Sequence, residues 1–507
     1  MNTLKSIKSA LISVYHKDHL DEIILLLHSQ GVKLISTGGT ASFIEKLGCS
    51  VTRVEELTGY PSILGGRVKT LHPMVFGGIL GRRDLDSDQA HMEEYSIPAI
   101  DLVVVDLYPF EETLAAGGNH SEVVEKIDIG GISLIRAAAK NHMDVVIIPS
   151  KESYPDLLTI LKDQNGATDL DQRKKLAGEA FSVSSHYDTA IWRYFGGDSA
   201  PELKISLTEF KTMRYGENPH QSGRFYGEID KLFNQIHGKE ISYNNLLDID
   251  AAIRLIDEFE ECTFAILKHN NACGIAARDN LTEAWKTALA GDPVSAFGGI
   301  LVTNREVDIE TASEIDKLFF EVIIAPGYRD EALKVLQKKK NRIILNRKDS
   351  NLPDIQFRSL LNGVLWQERD TKTEKAENLR LVTRNAADKE EISDLLFANI
   401  LVKHTKSNAI VLVKNKQLIS SGTGQTSRVD ALMQSIDKAN HFGHNLEGAV
   451  MASDAFFPFK DSVEIAYKAG VRSVIQPGGS IRDQESIDYC NEQGMRMVFT
   501  GVRHFKH

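Results

Sequence analysis

Short apolar runs alternate with segments of helical periodicity over the first 150 residues of the chain. The runs predict buried strands at residues 10–14, 32–35, 102–105 and 145–148. The helical segments include one that follows Asp18, its expected N-cap, one over residues 41–47 and one over residues 132–141. Strands that alternate with helices in this way predict a parallel sheet covered on both faces, a doubly wound α/β domain.

A break in the pattern over residues 195–201 predicts a linker, and a second α/β region follows it. The predicted strands of that region lie at residues 263–267, 299–303, 400–402 and 410–413. Lys268 and His269 follow one apolar run, and Lys403 and His404 follow another 135 residues later. Because each pair is predicted at a strand end, the echo favours an internal duplication, although such short strings also coincide by chance.

Length and composition narrow the class of protein. The chain has 507 residues, of which 42% are hydrophobic and 25% charged, which excludes a disordered chain and suggests several domains. Its 59 basic and 70 acidic residues give a net charge of −11, which disfavours nucleic acid and anionic membranes as partners. No apolar run approaches the ~20 residues of a membrane span, and the four cysteines form no C-x-x-C pair for a disulfide framework or zinc. We therefore expect a cytoplasmic protein.

Two loop motifs in the first region suit the recognition of a phosphate. The Gly-Gly-Thr string at residues 38–40 lies between a predicted strand and a helix, where bare backbone and the helix N-terminus favour an anion. A tight turn would use the same residues. Arg67, Lys69, Thr70 and His72 lie between a Gly-Gly pair and a proline, so they belong to a shaped loop that suits phosphate and carbonyl groups. A solvated basic loop is the alternative interpretation.

Three further residues of the first region carry groups that accept or donate protons. Tyr108 follows the strand at 102–105 and so lies at the edge where open α/β sheets bind ligands. It either contacts a ligand there or packs against the sheet with its hydroxyl at the rim. Asp128 precedes a helix, either as an N-terminal cap or as a catalytic carboxylate. Lys140 ends that helix, either as a helix-end cation or as a substrate contact.

Lys268 and His269 are the strongest candidates for proton transfer in the second region. A lysine beside a histidine favours the neutral imidazole, which can accept a proton, and the Asn-Asn string that follows predicts a loop rather than a core histidine. Polar residues are dense at 214–221, and residues 454–461 are aromatic and acidic, as in a slot for a flat heterocycle or a core corner. The basic, aromatic C-terminus at 503–507 is a further candidate, with fraying as the alternative.

Together these motifs resemble one family, the bifunctional purine biosynthesis proteins, in which phosphoribosylaminoimidazolecarboxamide formyltransferase is joined to IMP cyclohydrolase. The matching strings run in order along nearly the whole chain: STGGT at 36–40, GGRVKTLHP at 65–73, LYPF at 107–110, IDIGG at 127–131, RAAAKNH at 136–142, RYGENPHQ at 214–221, KHNNACG at 268–274 and SDAFFPF at 453–459. An ordered series of this kind is very specific to one family.

The resemblance implies a methylglyoxal-synthase-like doubly wound domain at residues 1–197, which holds the cyclohydrolase, and a linker at 198–205. Residues 206–507 are then the formyltransferase region, a duplicated cytidine-deaminase-like fold with halves at about 206–365 and 366–507. The formyltransferase moves a formyl group from 10-formyltetrahydrofolate to the 5-amino group of aminoimidazole carboxamide ribotide. The cyclohydrolase then closes the ring of the formylated ribotide, with loss of water, to give IMP.

The resemblance also implies roles for residues at matching positions of the N-terminal domain. The positions that hold the nucleotide are Ser13, Thr37, Gly38, Gly39, Thr40, Arg67, Lys69 and Thr70. Tyr108, Asp128 and Lys140 match the positions around the ring-closing atoms. Ring closure needs a base for the attacking nitrogen, and Asp128 is the better base. Lys69, Tyr108 and Lys140 are the better donors to the formyl oxygen, which develops charge as the ring closes.

In the C-terminal part, His269 matches the base that takes the proton of the attacking amine. Lys268 matches the group beside the oxyanion or leaving nitrogen, and Asn408 matches an orienting amide. The ribotide- and folate-pocket positions are Arg214, Tyr215, Phe456, Asp461, Arg503 and Phe505. The site in this family forms between two subunits, so a homodimer is implied.

The sequence departs from the family pattern at a few positions. Asp106 stands where relatives usually carry Asn, which replaces an amide donor by an acceptor, and Ala272 stands where Pro is common. The zinc signature of the deaminases is absent, so no zinc is expected. A monovalent cation, seen in some relatives, cannot be read from the sequence.

Two other functions are compatible with parts of the pattern. A ligand-sensing module with the same N-terminal fold would have lost catalytic positions such as Lys69 and Asp128, which are present. A monofunctional cyclohydrolase with a decayed second half would have lost Lys268, His269 and Asn408, which are also present.

Overall fold

The computed structural model describes residues 4–197 and 201–507. The chain divides into two compact units, Met1–Thr208 and Glu209–His507. The predicted linker at 198–205 begins with three residues outside the described part of the chain. Across the described residues, no helix combines the length and the apolar character needed to cross a membrane.

The first unit contains alternating strands and helices. Its strands are β1 (Lys5–Ser6), β2 (Ser9–Ser13), β3 (Lys33–Ser36), β4 (Thr52–Arg53), β5 (Leu102–Val105), β6 (Val146–Ile148) and β7 (Ala167–Thr168). Its helices are α1 (Leu20–Ser29), α2 (Gly38–Lys46), α3 (Val54–Thr58), α4 (Pro73–Leu80), α5 (Asp86–Glu94), α6 (Phe110–Ala115), α7 (His120–Glu125), α8 (Gly130–Lys140), α9 (Tyr154–Asp163) and α10 (Leu170–Tyr194).

Five of these strands form a parallel sheet in the order β4–β3–β2–β5–β6. All four residues of β5 are buried, as expected for a parallel strand with apolar layers on both faces. The chain runs outward from β2 through β3 to β4 and then returns to add β5 on the other side of β2. The carboxyl ends of β2 and β5 therefore border a crevice at the point where the strand order reverses, the usual ligand site of such sheets.

Two local predictions for this unit are wrong. α1 begins after His19, whose φ is 59°, rather than after a cap at Asp18. The string at 38–40 is the first turn of α2 rather than a separate turn, because Thr37 is the N-cap of that helix. The first turn of α2 thus starts with two glycines, which leave its free N–H groups uncovered.

The second unit contains the remaining elements. Its strands are β8 (Phe210–Met213), β9 (Gly223–Tyr226), β10 (Phe233–His237), β11 (Thr263–Lys268), β12 (Asn271–Ala277), β13 (Ile300–Thr303), β14 (Val322–Ala325), β15 (Ile343–Arg347), β16 (Ile355–Leu360), β17 (Gly363–Glu368), β18 (Arg380–Leu381), β19 (Ile410–Lys414), β20 (Gln417–Gly422), β21 (Val450–Ser453), β22 (Ser473–Gln476) and β23 (Arg496–Phe499). Its helices are α11 (Ile229–Leu232), α12 (Tyr243–Ile256), α13 (Leu281–Gly291), α14 (Ile309–Ile315), α15 (Asp330–Leu336), α16 (Lys389–Lys403), α17 (Arg428–His441), α18 (Asp461–Ala469) and α19 (Asp483–Gln493).

Twelve strands of this unit form one sheet in the order β10–β15–β14–β13–β11–β12–β20–β19–β21–β22–β23–β18. The first half consists of the hairpin β11–β12, three mutually parallel strands β13–β15 and the antiparallel edge strand β10. The hairpin β19–β20, strands β21–β23 and edge strand β18 repeat this arrangement. The halves join where Ala276 of β12 pairs with Gln417 of β20. The fold is therefore mixed α/β with an internal duplication, as the resemblance implied.

The two halves do not align Lys268 and His269 with Lys403 and His404, as the repeated Lys-His pair predicted. Residues 400–402 belong to helix α16, so Lys403 and His404 end a helix, whereas Lys268 ends strand β11. A short apolar run cannot distinguish a buried strand from a buried helix, which explains the wrong prediction. The structural counterpart of Lys268 is Lys414, because each is the last residue of the first strand of a hairpin with a two-residue turn.

Candidate active sites

The first candidate site lies at the carboxyl edge of the parallel sheet. Ser13 ends β2 and Thr37 precedes α2, and their hydroxyl oxygens are 3.2 Å apart. The Thr40 hydroxyl donates to the carbonyl oxygen of Val14 at 2.9 Å. These contacts tie the glycine turn of α2 to the end of β2, beside the crevice.

The side-chain nitrogen of Lys69 lies over this glycine turn. A Cβ atom at Gly38 would be 3.0 Å from that nitrogen, and one at Gly66 would be 3.3 Å from it. Both glycines also have positive φ, so a larger residue would strain the backbone and push the lysine away. Arg67 is exposed and forms an ion pair with Glu125. The free helix N-terminus and these two cations together suit a phosphate.

The same loop meets the start of α8, where Thr70 Oγ1 would be 2.8 Å from a Cβ atom at Gly130. Just before α8, the Asp128 side chain is buried and accepts the N–H group of Gly131 at 2.6 Å. Burial raises the pKa of Asp128, although this hydrogen bond and the backbone of Tyr108 favour its charged form. A carboxylate with a raised pKa is a better proton acceptor near neutral pH.

Tyr108 stands beside Asp128 at the end of β5, with 43% of its surface exposed. Burial and the charge of Asp128 raise the pKa of the Tyr108 hydroxyl, which therefore remains a hydrogen-bond donor at neutral pH. Its ring meets that of Tyr15 edge-on, at 5.7 Å between centroids. Asp106 accepts the N–H groups of Tyr15 and His16, a role for which a carboxylate oxygen serves as well as an amide oxygen.

The structure does not bring Lys140 to this cluster. Asp128 precedes the first turn of α8, and Lys140 is the last residue of that helix. The helix has 11 residues, so its ends are about 15 Å apart at 1.5 Å per residue. Lys140 is exposed at the far end, where it lines a cavity of about 520 Å³ together with Arg136 and Phe181.

The second candidate site is the tip of the hairpin β11–β12. β11 ends at Lys268 and β12 begins at Asn271, so that His269 and Asn270 form a two-residue turn. Both turn residues have positive φ, 54° and 63°, as in the type I′ turns that match the twist of antiparallel strands. His269 is exposed at this tip. The imidazole is therefore accessible and is not a core histidine.

Segments distant in sequence meet at this turn. The side-chain nitrogen of Lys506 donates to the carbonyl oxygens of His404 at 2.7 Å and Asn270 at 3.3 Å. The backbone N–H of Lys506 donates to the Ser407 hydroxyl at 3.0 Å. Asn408 follows Ser407 directly, and its side-chain amide donates to the carbonyl oxygens of Gln425 at 3.0 Å and Thr426 at 3.2 Å. Burial lowers the pKa of the Lys506 ammonium to about 8.

The C-terminal residues before Lys506 supply a cation and an aromatic ring. The Arg503 guanidinium is 4.4 Å from the centroid of the Phe505 ring. A cavity of about 1190 Å³ opens beside the turn and is lined in part by Asn270, Phe505 and Lys506. This volume exceeds the roughly 300–1,000 Å³ that is typical of a pocket for one small ligand.

Four predicted pocket positions are engaged elsewhere in this unit. Arg214 and Tyr215 lie in the loop between β8 and β9, with the guanidinium 5.6 Å from the ring centroid. Phe456 is 38% exposed after β21, and Asp461 begins α18 and accepts the N–H of Ser462 at 2.7 Å. Within the described residues, no hydrogen bond joins any of the four to the turn that carries the imidazole.

Sequence reasoning missed an exposed aromatic pair beside Lys268. Phe297 and Phe319 are 59% and 54% exposed, and their ring centroids are 5.1 Å apart. The Lys268 side-chain nitrogen donates to the carbonyl oxygen of Phe297 at 2.9 Å. Exposed aromatic rings favour a flat ligand. The Ala-Phe-Gly-Gly string before β13 was the available signal, because an aromatic residue between small ones often belongs to a binding loop.

The reactive groups of the two sites are a carboxylate, a tyrosine hydroxyl, amines and an imidazole. The cysteines are unpaired, and burial raises the pKa of the Cys273 and Cys490 thiols to about 12, which makes both poor nucleophiles. In the part of the chain that the structure describes, no group of three or more His, Cys, Asp or Glu residues is placed to hold a metal ion.

Comparisons with known proteins agree along the chain. A family model described as AICARFT/IMPCHase bienzyme matches residues 138–438, and one described as MGS-like domain matches residues 19–133. The chain is 62% identical over 507 residues to bifunctional purine biosynthesis protein PurH of Bacteroides thetaiotaomicron, with 100% of both chains covered. It is 48% identical over 511 residues to PurH of Aquifex aeolicus, with 98% of this chain and 100% of the relative covered. It is 46% identical over 517 residues to PurH of Acetivibrio thermocellus, with 99% and 100% covered.

Proposed function

The chain belongs to the AICARFT/IMPCHase family of bifunctional purine biosynthesis proteins, and on this premise we propose which of its residues carry each reaction. The enzyme formylates aminoimidazole carboxamide ribotide and then closes the product to IMP, the last two steps of purine biosynthesis. We assign ring closure to the sheet-edge cluster of the first unit and formyl transfer to the hairpin turn of the second. The observation that carries the assignment is the pair of proton acceptors, buried Asp128 and exposed His269, in separate compact units.

In the first unit, the ribotide phosphate binds at the glycine turn of α2, held by Arg67 and by the free N–H groups of the helix N-terminus. The carboxamide nitrogen attacks the formyl carbon, and Asp128 accepts the proton that this nitrogen loses. Tyr108 and Lys69 donate to the formyl oxygen as it gains charge, which lowers the barrier to attack. This attack closes the ring, and the oxygen becomes a hydroxyl when it takes up the proton lost by the attacking nitrogen. The hydroxyl then leaves as water with the proton of the former formamide nitrogen, and a ring C=N bond forms.

In the second unit, the 5-amino group of the ribotide attacks the formyl carbon and His269 accepts its proton. Attack by an aromatic amine is slow because its lone pair is delocalised, so removal of the proton by a base matters most here. Lys268 donates to the formyl oxygen, and the leaving nitrogen of the folate takes up the proton that His269 removed from the amine. Asn408 orients the ribotide, Phe505 lines its pocket, and Arg503 contacts the Phe505 ring. Phe297 and Phe319 are suited to stack on the flat ring of the folate.

We propose 10-formyltetrahydrofolate as the co-substrate and expect no zinc requirement. The enzyme incubated with ribotide and 10-formyltetrahydrofolate should form IMP and tetrahydrofolate in equal amounts, whether or not a strong zinc chelator is present. The 5-formyl isomer serves as the control and should give no product. The proposal would be contradicted if the 5-formyl isomer supported the reaction and 10-formyltetrahydrofolate did not. It would also be contradicted if chelation abolished activity and only zinc restored it.

We also infer that the active form is a homodimer. Lys140 matches a catalytic position, yet it lies a helix length from Asp128, so a second copy is needed to bring its ammonium to a ring-closing site. The hairpin β16–β17 supports the inference independently. Leu361, Leu365 and Trp366 of this hairpin are 100%, 58% and 52% exposed, an apolar surface that suits burial against another chain.

Subunit mixing tests whether Lys140 acts across the dimer. Lys69→Ala and Lys140→Ala chains with different affinity tags would be co-expressed, and the heterodimer purified through both tags. If Lys140 acts on the partner's site, each heterodimer has one intact ring-closing site and about half of the wild-type cyclisation, although both parent variants are inactive. Formyl transfer should stay at the wild-type level and serves as the control. A heterodimer as inactive as its parents would show that Lys140 does not act across the dimer.

A further inference from the structure

Asp248 of α12 holds the turn that carries His269. Its carboxylate accepts the backbone N–H of Asn270 at 2.5 Å, and the backbone of His269 also stabilises its charged form. The side chain of Asp248 is partly buried beneath the turn, and burial raises its pKa. The turn has positive φ at two residues that carry side chains, a backbone conformation that external hydrogen bonds must stabilise.

The second half of the unit has the same contact between an aspartate and a hairpin turn, but that turn has no histidine. Asp394 of α16 accepts the N–H groups of Asn415 and Lys416, each at 2.7 Å, and these residues form the two-residue turn of β19–β20. Both have positive φ, 52° and 50°. Asp394 precedes Asn415 by 21 residues, as Asp248 precedes His269, and burial likewise raises its pKa.

Because the same aspartate-to-turn contact occurs in both halves, its contribution to stability can be distinguished from its contribution to formyl transfer. An aspartate beneath a left-handed turn belongs to the duplicated fold, so loss of either aspartate should cost similar stability. Only the turn above Asp248 carries a proton acceptor and meets the C-terminal segment, through the bond from Lys506 to Asn270. A shift of that turn would move the imidazole relative to the bound amine.

We propose that Asp248 is a positioning residue for formyl transfer, which fixes the turn so that the imidazole of His269 faces the attacking amine. The proposal rests on the proposed role of His269. An error of about 1 Å in the position of a catalytic group costs roughly 10²-fold in rate. Asp248 does not touch the reacting atoms, so it acts through the imidazole.

The test compares Asp248→Ala with the matched Asp394→Ala. Asp248→Ala should lower kcat for formyl transfer by roughly 10–10²-fold with a small change in KM for the ribotide, while Asp394→Ala should leave kcat near the wild-type value. The thermal unfolding midpoints of the two variants should fall by similar amounts. Asp248→Asn retains one acceptor oxygen and should recover part of kcat. Cyclisation of preformed formyl-ribotide should be normal in all three.

A double variant tests whether Asp248 acts through His269. In a His269→Ala background, Asp248→Ala should cause no further loss of formyl transfer, because the base is already absent. A second loss of full size, or an equal effect of Asp394→Ala on kcat, would overturn the proposal. Failure of the role of His269 itself would be visible separately, as a His269→Ala enzyme that retains formyl transfer. If Asp248→Ala does not fold, Asp248→Asn and Asp394→Asn make the same comparison.

Discussion

His269→Ala is expected to lower kcat for formyl transfer by about 10²–10⁴-fold, the usual worth of a general base. The imidazole is exposed at a turn tip that follows Lys268 and contacts the C-terminal segment, where it can meet the weakly nucleophilic amine. The KM for ribotide should change little, because the phosphate and the ring are held by other groups. Steady-state assays of formyl transfer at saturating ribotide and folate measure the effect.

The chain provides a matched control for this prediction. Asn415 occupies the same place in the β19–β20 turn as His269 in the β11–β12 turn, with a nearly equal φ. Asn415→Ala should therefore cause a similar small loss of stability and leave formyl transfer intact. Cyclisation should be nearly unchanged in both variants, since the cyclisation cluster is in the other compact unit. If His269→Ala weakened both activities equally, the residue would be structural rather than catalytic.

Asp128→Asn is expected to lower kcat for cyclisation by about 10²–10⁴-fold while formyl transfer continues. The amide still fits the space and accepts the N–H of Gly131, but it cannot take a proton from the attacking nitrogen. The Asp128→Asn enzyme should therefore accumulate formylated ribotide when it is supplied with ribotide and folate. Chromatography of the reaction mixture detects this intermediate.

The pH profile gives an independent check on the role of Asp128. Burial raises the pKa of this carboxylate, and only its deprotonated form is a base. As the pH falls through that raised pKa, the fraction of active base decreases, so kcat for cyclisation should fall on the acid side at a higher pH than for an ordinary aspartate. The acid limb should disappear from the residual activity of Asp128→Asn. An unchanged acid limb would assign the titration to another group.

Much of the fold could be predicted from the sequence because its signals are local. The apolar runs that became β2, β3, β5 and β6 lie within a few residues of their predicted bounds, since a strand of a parallel sheet is apolar on both faces. The run at 400–402 failed because an apolar stretch of three residues fits a buried helix equally well. Because of that error, Lys268 was paired with Lys403 in the predicted duplication. The two hairpins show that its counterpart is Lys414.

The sequence by itself determined the order along the chain of the strands that it predicted, the loops between them and the residue types at each candidate site, because these depend on neighbours along the chain. Only the tertiary structure decided which of those residues meet. It brought Asp248 under the turn of His269 and Lys506 over it, across 22 and 236 positions of chain. It also separated Lys140 from Asp128, although only 11 residues intervene, because a straight helix holds its two ends apart. Distances through space depend on how helices and strands pack, and local patterns carry no record of that.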